Sequence, residues 1–127
     1  MIKVIKSALS IGRDASYSFD TVFANYPLHY PLRKVLEAHV DAKVHREKTG
    51  IYVDLSLQGK LEVEDTSDAT LFELPISFSE KMVAIMDEED GEGEGYIFLG
   101  NSFDLEELAL LTLESHLPIR VTRELLK

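Results

Sequence analysis

Leu36-Glu37-Ala38-His39-Val40-Asp41-Ala42-Lys43-Val44-His45 and Ile51-Tyr52-Val53-Asp54-Leu55-Ser56-Leu57-Gln58-Gly59-Lys60-Leu61-Glu62-Val63 are the stretches whose reading decides the fold. In the first, Leu36, Ala38, Val40, Ala42 and Val44 alternate with Glu37, His39, Asp41, Lys43 and His45. In the second, Ile51, Val53, Leu55, Leu57, Leu61 and Val63 alternate with Tyr52, Asp54, Ser56, Gln58, Lys60 and Glu62. A period of two places one set on a core and the other in water, the pattern of a half-buried antiparallel strand. Arg46-Glu47-Lys48-Thr49-Gly50 joins the two as a hairpin connection, with a glycine to take positive φ. Gly59 interrupts the inward row and marks a bulge or a close backbone approach.

Working outward, Phe72, Leu74, Ile76 and Phe78 form one face of a third strand. Pro75 on its other face lacks a donor, which suits an edge strand or a bulge. The odd-numbered Val83 and Ile85 shift the parity and predict a bend near Ser79 to Lys81. Tyr96-Ile97-Phe98-Leu99 reads as a short strand, and Tyr17 to Phe23 alternates as another. Asp104, with Glu107 three residues on, predicts a capped helix start. Leu105, Leu108, Leu111 and Thr112 share a face that Ala109, Leu110 and Leu113 widen, and Pro118 ends the helix. The expected architecture is α+β, an antiparallel sheet of about five to six strands packed by one C-terminal helix.

The chain has 127 residues, which predicts a single domain over 1–127, with residues 1–16 as a peripheral segment. It has no cysteine, so disulfides, thiolate catalysis and cysteine-held metals are excluded. No apolar run approaches the ~20 residues of a membrane span, and the start lacks a signal-peptide core. A cytoplasmic location with no membrane contact is the expectation.

Net charge is −10, unevenly spread. Residues 1–60 hold nine Lys/Arg against six acids, whereas residues 61–127 hold four against seventeen. Such asymmetry fits two partners of opposite charge, or simple solubility. Asp87, Glu88, Glu89, Asp90, Glu92 and Glu94 alternate with glycines over residues 87–95, a segment that reads as a mobile acidic loop. Counted from Asp87, a calcium-binding loop would need glycine sixth and glutamate twelfth; Glu92 and Phe98 stand there instead.

Phosphate-binding and nucleophile-elbow motifs are missing from the sequence, so neither catalysis nor a cofactor is expected. His39 and His45 lie about 20 Å apart on one strand face, too far to share a metal. His39 and Asp41 are neighbours there and able to pair, and His116 closes the helix. The basic set carries more weight. Arg33 and Lys34 precede the hairpin, Lys43 leads to its end, and Arg46 and Lys48 lie in the turn. Cations so placed suit phosphate contacts that position a protein on RNA, though a solvated turn has the same composition.

The order of features resembles the YceD family, the large ribosomal RNA subunit accumulation proteins of bacteria and plastids. The resemblance spans roughly residues 32–121. It rests on Val53 to Leu61, on Phe72-Glu73-Leu74-Pro75-Ile76-Ser77-Phe78, and on Phe103-Asp104-Leu105-Glu106-Glu107-Leu108 leading to Leu117-Pro118. Many members carry cysteines where this chain has Asp65-Thr66-Ser67 and in a tail after the Leu-Pro, so no metal role transfers. The resemblance implies a role in accumulation or processing of large-subunit ribosomal RNA and supplies no catalytic residue. The expected partners are ribosomal RNA, through the five cations above, and/or a basic ribosomal protein, through the acidic loop. The alternatives are a small interaction module unrelated to ribosomes, or a small-ligand pocket between sheet and helix.

Overall fold

The computed structural model describes residues 2–48, 50–86 and 102–117. In chain order these form β1 (Lys3–Ile5), a 3₁₀ turn (Lys6–Ala8), β2 (Asp14–Asp20), β3 (Leu32–Glu47), β4 (Gly50–Glu64), β5 (Leu71–Met86), β6 (Ser102–Asp104) and α1 (Leu105–Ser115). The strands make two antiparallel sheets, not one: β2-β3-β4-β5 and the small pair β1-β6. The split arises because β1 pairs with the residues just before the helix, Val4 opposite Phe103. Val4 is 1% exposed, so part of the segment read as peripheral belongs to the core. Tyr96 to Leu99, the acidic segment 87–95 and Pro118 lie outside the described residues.

The alternation places its apolar set where the pattern demands. Ala38, Val40, Ala42 and Val44 face the core from β3, and Ile51, Val53, Leu55, Leu57, Leu61 and Val63 from β4. Leu36 is the exception. Register slips between Leu32 and Lys34 and again between Val35 and Glu37, so Arg33 and Leu36 are extra residues in β3. The inward positions before the second slip are therefore Leu32 and Val35, and Leu36 is only half-buried. Gly59 sits opposite Ala38 beside this second bulge. A Cβ on Gly59 would lie 2.1 Å from the Glu37 carbonyl oxygen and 3.0 Å from Ala38 Cα. The glycine marks a close approach, and the bulge belongs to the facing strand.

Among the described residues β5 is an edge strand, one of the two settings that Pro75 suits. Its ladder runs unbroken through Ser79, Glu80 and Lys81, so there is no shift at the expected bend. Register slips instead at Ala84, between the Tyr52–Val83 and Ile51–Ile85 pairs. The extra residue there sets Ile85 opposite Ile51, whereas Val83 precedes it and pairs with Tyr52 on the outer row, where it is nevertheless 4% exposed.

α1 covers the inner face through Leu105, Leu108, Ala109, Leu110, Thr112 and Leu113, all buried. Asp104 caps it by accepting from the Glu106 amide at 3.0 Å. The same Asp104 Oδ1 accepts from the Ile2 amide at 3.0 Å, which ties the helix start to β1. No helix among the described residues is long and apolar enough to cross a membrane.

Candidate functional site

The five cations singled out from the sequence are not brought together. Arg33 and Lys34 lie near the start of β3, while Lys43, Arg46 and Lys48 lie toward its end. Lys34 and Lys43 are separated by about 30 Å of extended strand. Arg46 is engaged inside the fold. Its Nη1 donates to the carbonyls of Lys6 at 3.1 Å and Leu9 at 2.7 Å, and its own carbonyl accepts from the Gly12 amide at 2.9 Å. The guanidinium fastens the 3₁₀ turn to the hairpin end and is not offered to a phosphate. Its Nε is buried without a partner among the described residues. Lys48 is exposed in the turn, and Arg33 Nε stands 3.9 Å from Glu64 Oε1. The six acids chosen as a protein contact lie outside the described residues.

The outer face of the four-stranded sheet is mostly polar and exposed, with the buried Val83 as its apolar exception. The register aligns its side chains in rows across the strands: Asp14, His45, Tyr52, Val83; Ser16, Lys43, Asp54, Lys81; Ser18, Asp41, Ser56, Ser79; Asp20, His39, Gln58, Ser77. Lys43 and Lys81 both stand across from Asp54, and Ser56 bonds Ser79 at 2.8 Å. Acids and lysines are interleaved on this face. The sorting of charge along the sequence is not a sorting across the sheet, because Asp14, Asp20, Asp41 and Asp54, all within residues 1–60, stand beside Lys43 on the adjacent strands β2, β3 and β4. No flat aromatic platform accompanies the cations here; Tyr52 is the one aromatic side chain in these rows.

Each of the four histidines meets a carboxylate from another element. His29 Nδ1 is 3.0 Å from Glu114 Oε2 of α1, and His116 Nε2 is 2.9 Å from Glu80 Oε2 of β5. His116 also stacks on Phe78 with ring centroids 4.1 Å apart. His39 has Nδ1 2.9 Å from Asp20 Oδ1 and Nε2 3.2 Å from Asp41 Oδ2, so the pair with Asp41 foreseen from spacing is present. His45 pairs through Nδ1 with Asp14 and through Nε2 with Glu47 at 2.5 Å. Hydrogen bonding to Asp20 holds the His39 pKa above the usual imidazole value, against some burial and with help from Asp41. Glu47 first and then Asp14 do the same for His45.

Ser18 Oγ lies 3.3 Å from His39 Nε2, which together with Asp20 on Nδ1 makes a serine–histidine–aspartate contact set. A general base needs a free lone pair on Nε2. Here the Asp41 carboxylate faces that same nitrogen and favours its protonated form. Asp20 is also 85% exposed, so its orienting field is screened by water. The set is poorly suited to activating the serine. Spacing in the sequence pointed to Asp41 but not to Asp20 or Ser18, which reach His39 only through strand pairing.

A second polar cluster joins Thr21 and Tyr26 to the helix start. The Tyr26 hydroxyl donates to Asp104 Oδ2 and, at 3.2 Å, to Glu106 Oε1; Thr21 Oγ1 donates to Glu106 Oε2. Burial, then the two carboxylates, pushes the tyrosine pKa well above its ordinary value. Burial acts to raise the Glu106 pKa, but the bonds it accepts, that of Thr21 first, bring it below the ordinary value. These contacts hold the loop after β2 against α1.

A groove of about 930 Å³ crosses the sheet at the second bulge, lined by Thr21, Val22, Leu36, Ala38, Gly59 and Ile76 among others. Asp20, Glu37, His39 and Lys60 stand at its margin, and no residue of α1 borders it. It is therefore not the sheet–helix pocket considered from the sequence. Among the described residues, no group of three or more His, Asp or Glu side chains is arranged to hold a metal ion. Compared with protein-family models, curated proteins and solved structures, the chain has no match.

Proposed function

We propose that this protein is a non-catalytic ribosome-biogenesis factor that supports accumulation or processing of large-subunit ribosomal RNA. What supports the reading is the order of three motif-bearing segments together with their packing. The Gly59 hairpin, the Pro75 edge strand and the Asp104-capped helix contribute Leu57, Leu61, Leu74, Leu105 and Leu108 to one hydrophobic cluster. The segments that carry the resemblance thus form one body that presents a broad polar face.

Direct contact falls to a basic ribosomal protein more than to RNA. Arg46 is committed to main-chain carbonyls, and Asp14, Asp20, Asp41 and Asp54 share the outer face with Lys43 and Lys81. A carboxylate-rich surface attracts cationic protein and repels phosphate. Depletion of the protein should lower the ratio of large- to small-subunit ribosomal RNA. Tagged protein should capture ribosomal proteins at moderate salt. Reversing Asp41 and Asp54 to lysine should reduce that capture, whereas reversing Lys43 and Lys48 to glutamate should not. An unchanged RNA ratio would overturn the biological assignment. Loss of capture only in the lysine reversals would move the contact to RNA.

A further inference from the structure

We propose that β2 is a pH-released edge strand: His39 and His45 clasp its two ends to β3 while both imidazoles are doubly protonated, and let go when they lose a proton. The placement is what suggests it. The β2–β3 ladder runs from Asp14 opposite His45 to Asp20 opposite His39, so the two clasps are its first and last pairs. Each ring has a carboxylate at both nitrogens: Asp20 and Asp41 for His39, Asp14 and Glu47 for His45. A neutral imidazole donates from one nitrogen and carries a lone pair on the other. Only the imidazolium satisfies two carboxylates at once. Deprotonation leaves each ring one N–H for two carboxylates, so the cross-strand bond from Nδ1 to Asp20 or Asp14 competes with the bond to Asp41 or Glu47 on β3 and is weakened.

Besides the clasps and the ladder, Tyr17 and Phe19 pack partly against the core, and no β2 residue is fully buried. The strand's inward residues Ala15, Tyr17 and Phe19 are half-buried, and Asp14, Ser16, Ser18 and Asp20 are exposed. Beyond the ladder, the Thr21 amide donates to the Ala38 carbonyl at 3.0 Å. The charged neighbourhood favours the doubly protonated rings. His39 faces Asp20 and Ser18 from β2, Glu37 and Asp41 on its own strand, and Gln58 from β4, with Lys60 of β4 nearby. His45 faces Asp14 from β2, Lys43 and Glu47 on its own strand, and Tyr52 and Asp54 from β4, with Lys81 of β5 nearby. At each ring the carboxylates outnumber the lysines.

The direction of the response follows from linkage. Both groups bind their proton more tightly in the folded state, so their contribution is complete below the ordinary imidazole value of about 6.5. It is lost as pH rises through the raised values.

Amide hydrogen exchange of the full chain, between about pH 5.5 and about pH 8 and corrected for the intrinsic rate, tests the device. The protection of residues 15–19 relative to residues 53–57 of β4 should fall by roughly two- to fivefold per clasp as pH rises, the range that exposed ion pairs give. In the double variant His39→Gln, His45→Gln the ratio should sit at its high-pH level throughout. If that variant does not fold, Asp14→Asn and Asp20→Asn each should abolish the response at their own end. A ratio that does not move with pH in the wild-type protein would overturn the proposal, as would an equal response in the double variant.

Discussion

β2 and β5 are both edge strands of the same sheet, yet different forces secure them. β5 runs sixteen residues, buries Leu74, Met82, Val83 and Ala84, and lays Phe72, Ile76 and Phe78 against the core. The helix seals it: Thr112 Oγ1 reaches Met82 Sδ at 3.5 Å, and His116 stacks on Phe78. β2 runs seven residues, none of them fully buried; Tyr17 and Phe19 pack partly on the core, and ionic hydrogen bonds pin its ends. Apolar burial contributes roughly 25 cal/mol per Å² and does not depend on pH. Exposed ion pairs contribute little and vanish with a proton. One edge is held mainly by area, and the other adds charge at its ends to a smaller apolar contact.

Three substitutions break or sharpen this contrast, from large effect to small. Gly59→Ala strikes the β3–β4 centre from which both edges hang, where the new methyl would meet the Glu37 carbonyl oxygen at 2.1 Å. We expect a loss of about 3 kcal/mol in denaturant unfolding, with both edges destabilised together. A loss below about 0.5 kcal/mol would mean that the β3 bulge yields easily. Met82→Ala removes the side chain that joins β5 to the helix. It should cost about 2 kcal/mol and leave the β2 exchange ratio unchanged. Arg46→Met removes the donors to Lys6 and Leu9 on the β2 side. It should cost about 1 kcal/mol and open residues 6–12 to proteolysis, with β5 unaffected.

How much of this was legible depended on the range over which each residue acts. The period-two pattern displays β3 and β4 because every second residue meets the same core, and Asp104 announces α1 because a cap acts within a few residues. Gly59 was visible as an interruption. Leu36 was misassigned because the slip that turns it comes from pairing with β4, which its neighbours in sequence do not encode. Arg46 looked like a free turn cation because its carbonyl partners lie 37 and 40 residues away. β1 was hidden for a similar reason: three residues make no pattern, and their partner strand begins at Ser102. The histidine clasps were half legible, Asp41 through spacing and Asp14 and Asp20 only through the ladder.

The bond from the Ile2 amide to Asp104 spans 102 positions of chain. During synthesis at roughly 5 to 20 residues per second, the leading segment waits on the order of ten seconds before its acceptor exists. The β3–β4 hairpin can zip long before that moment, so the small β1–β6 pair is the closing stitch. Whatever meets the nascent chain in the interval finds the nonpolar side of Val4 uncovered.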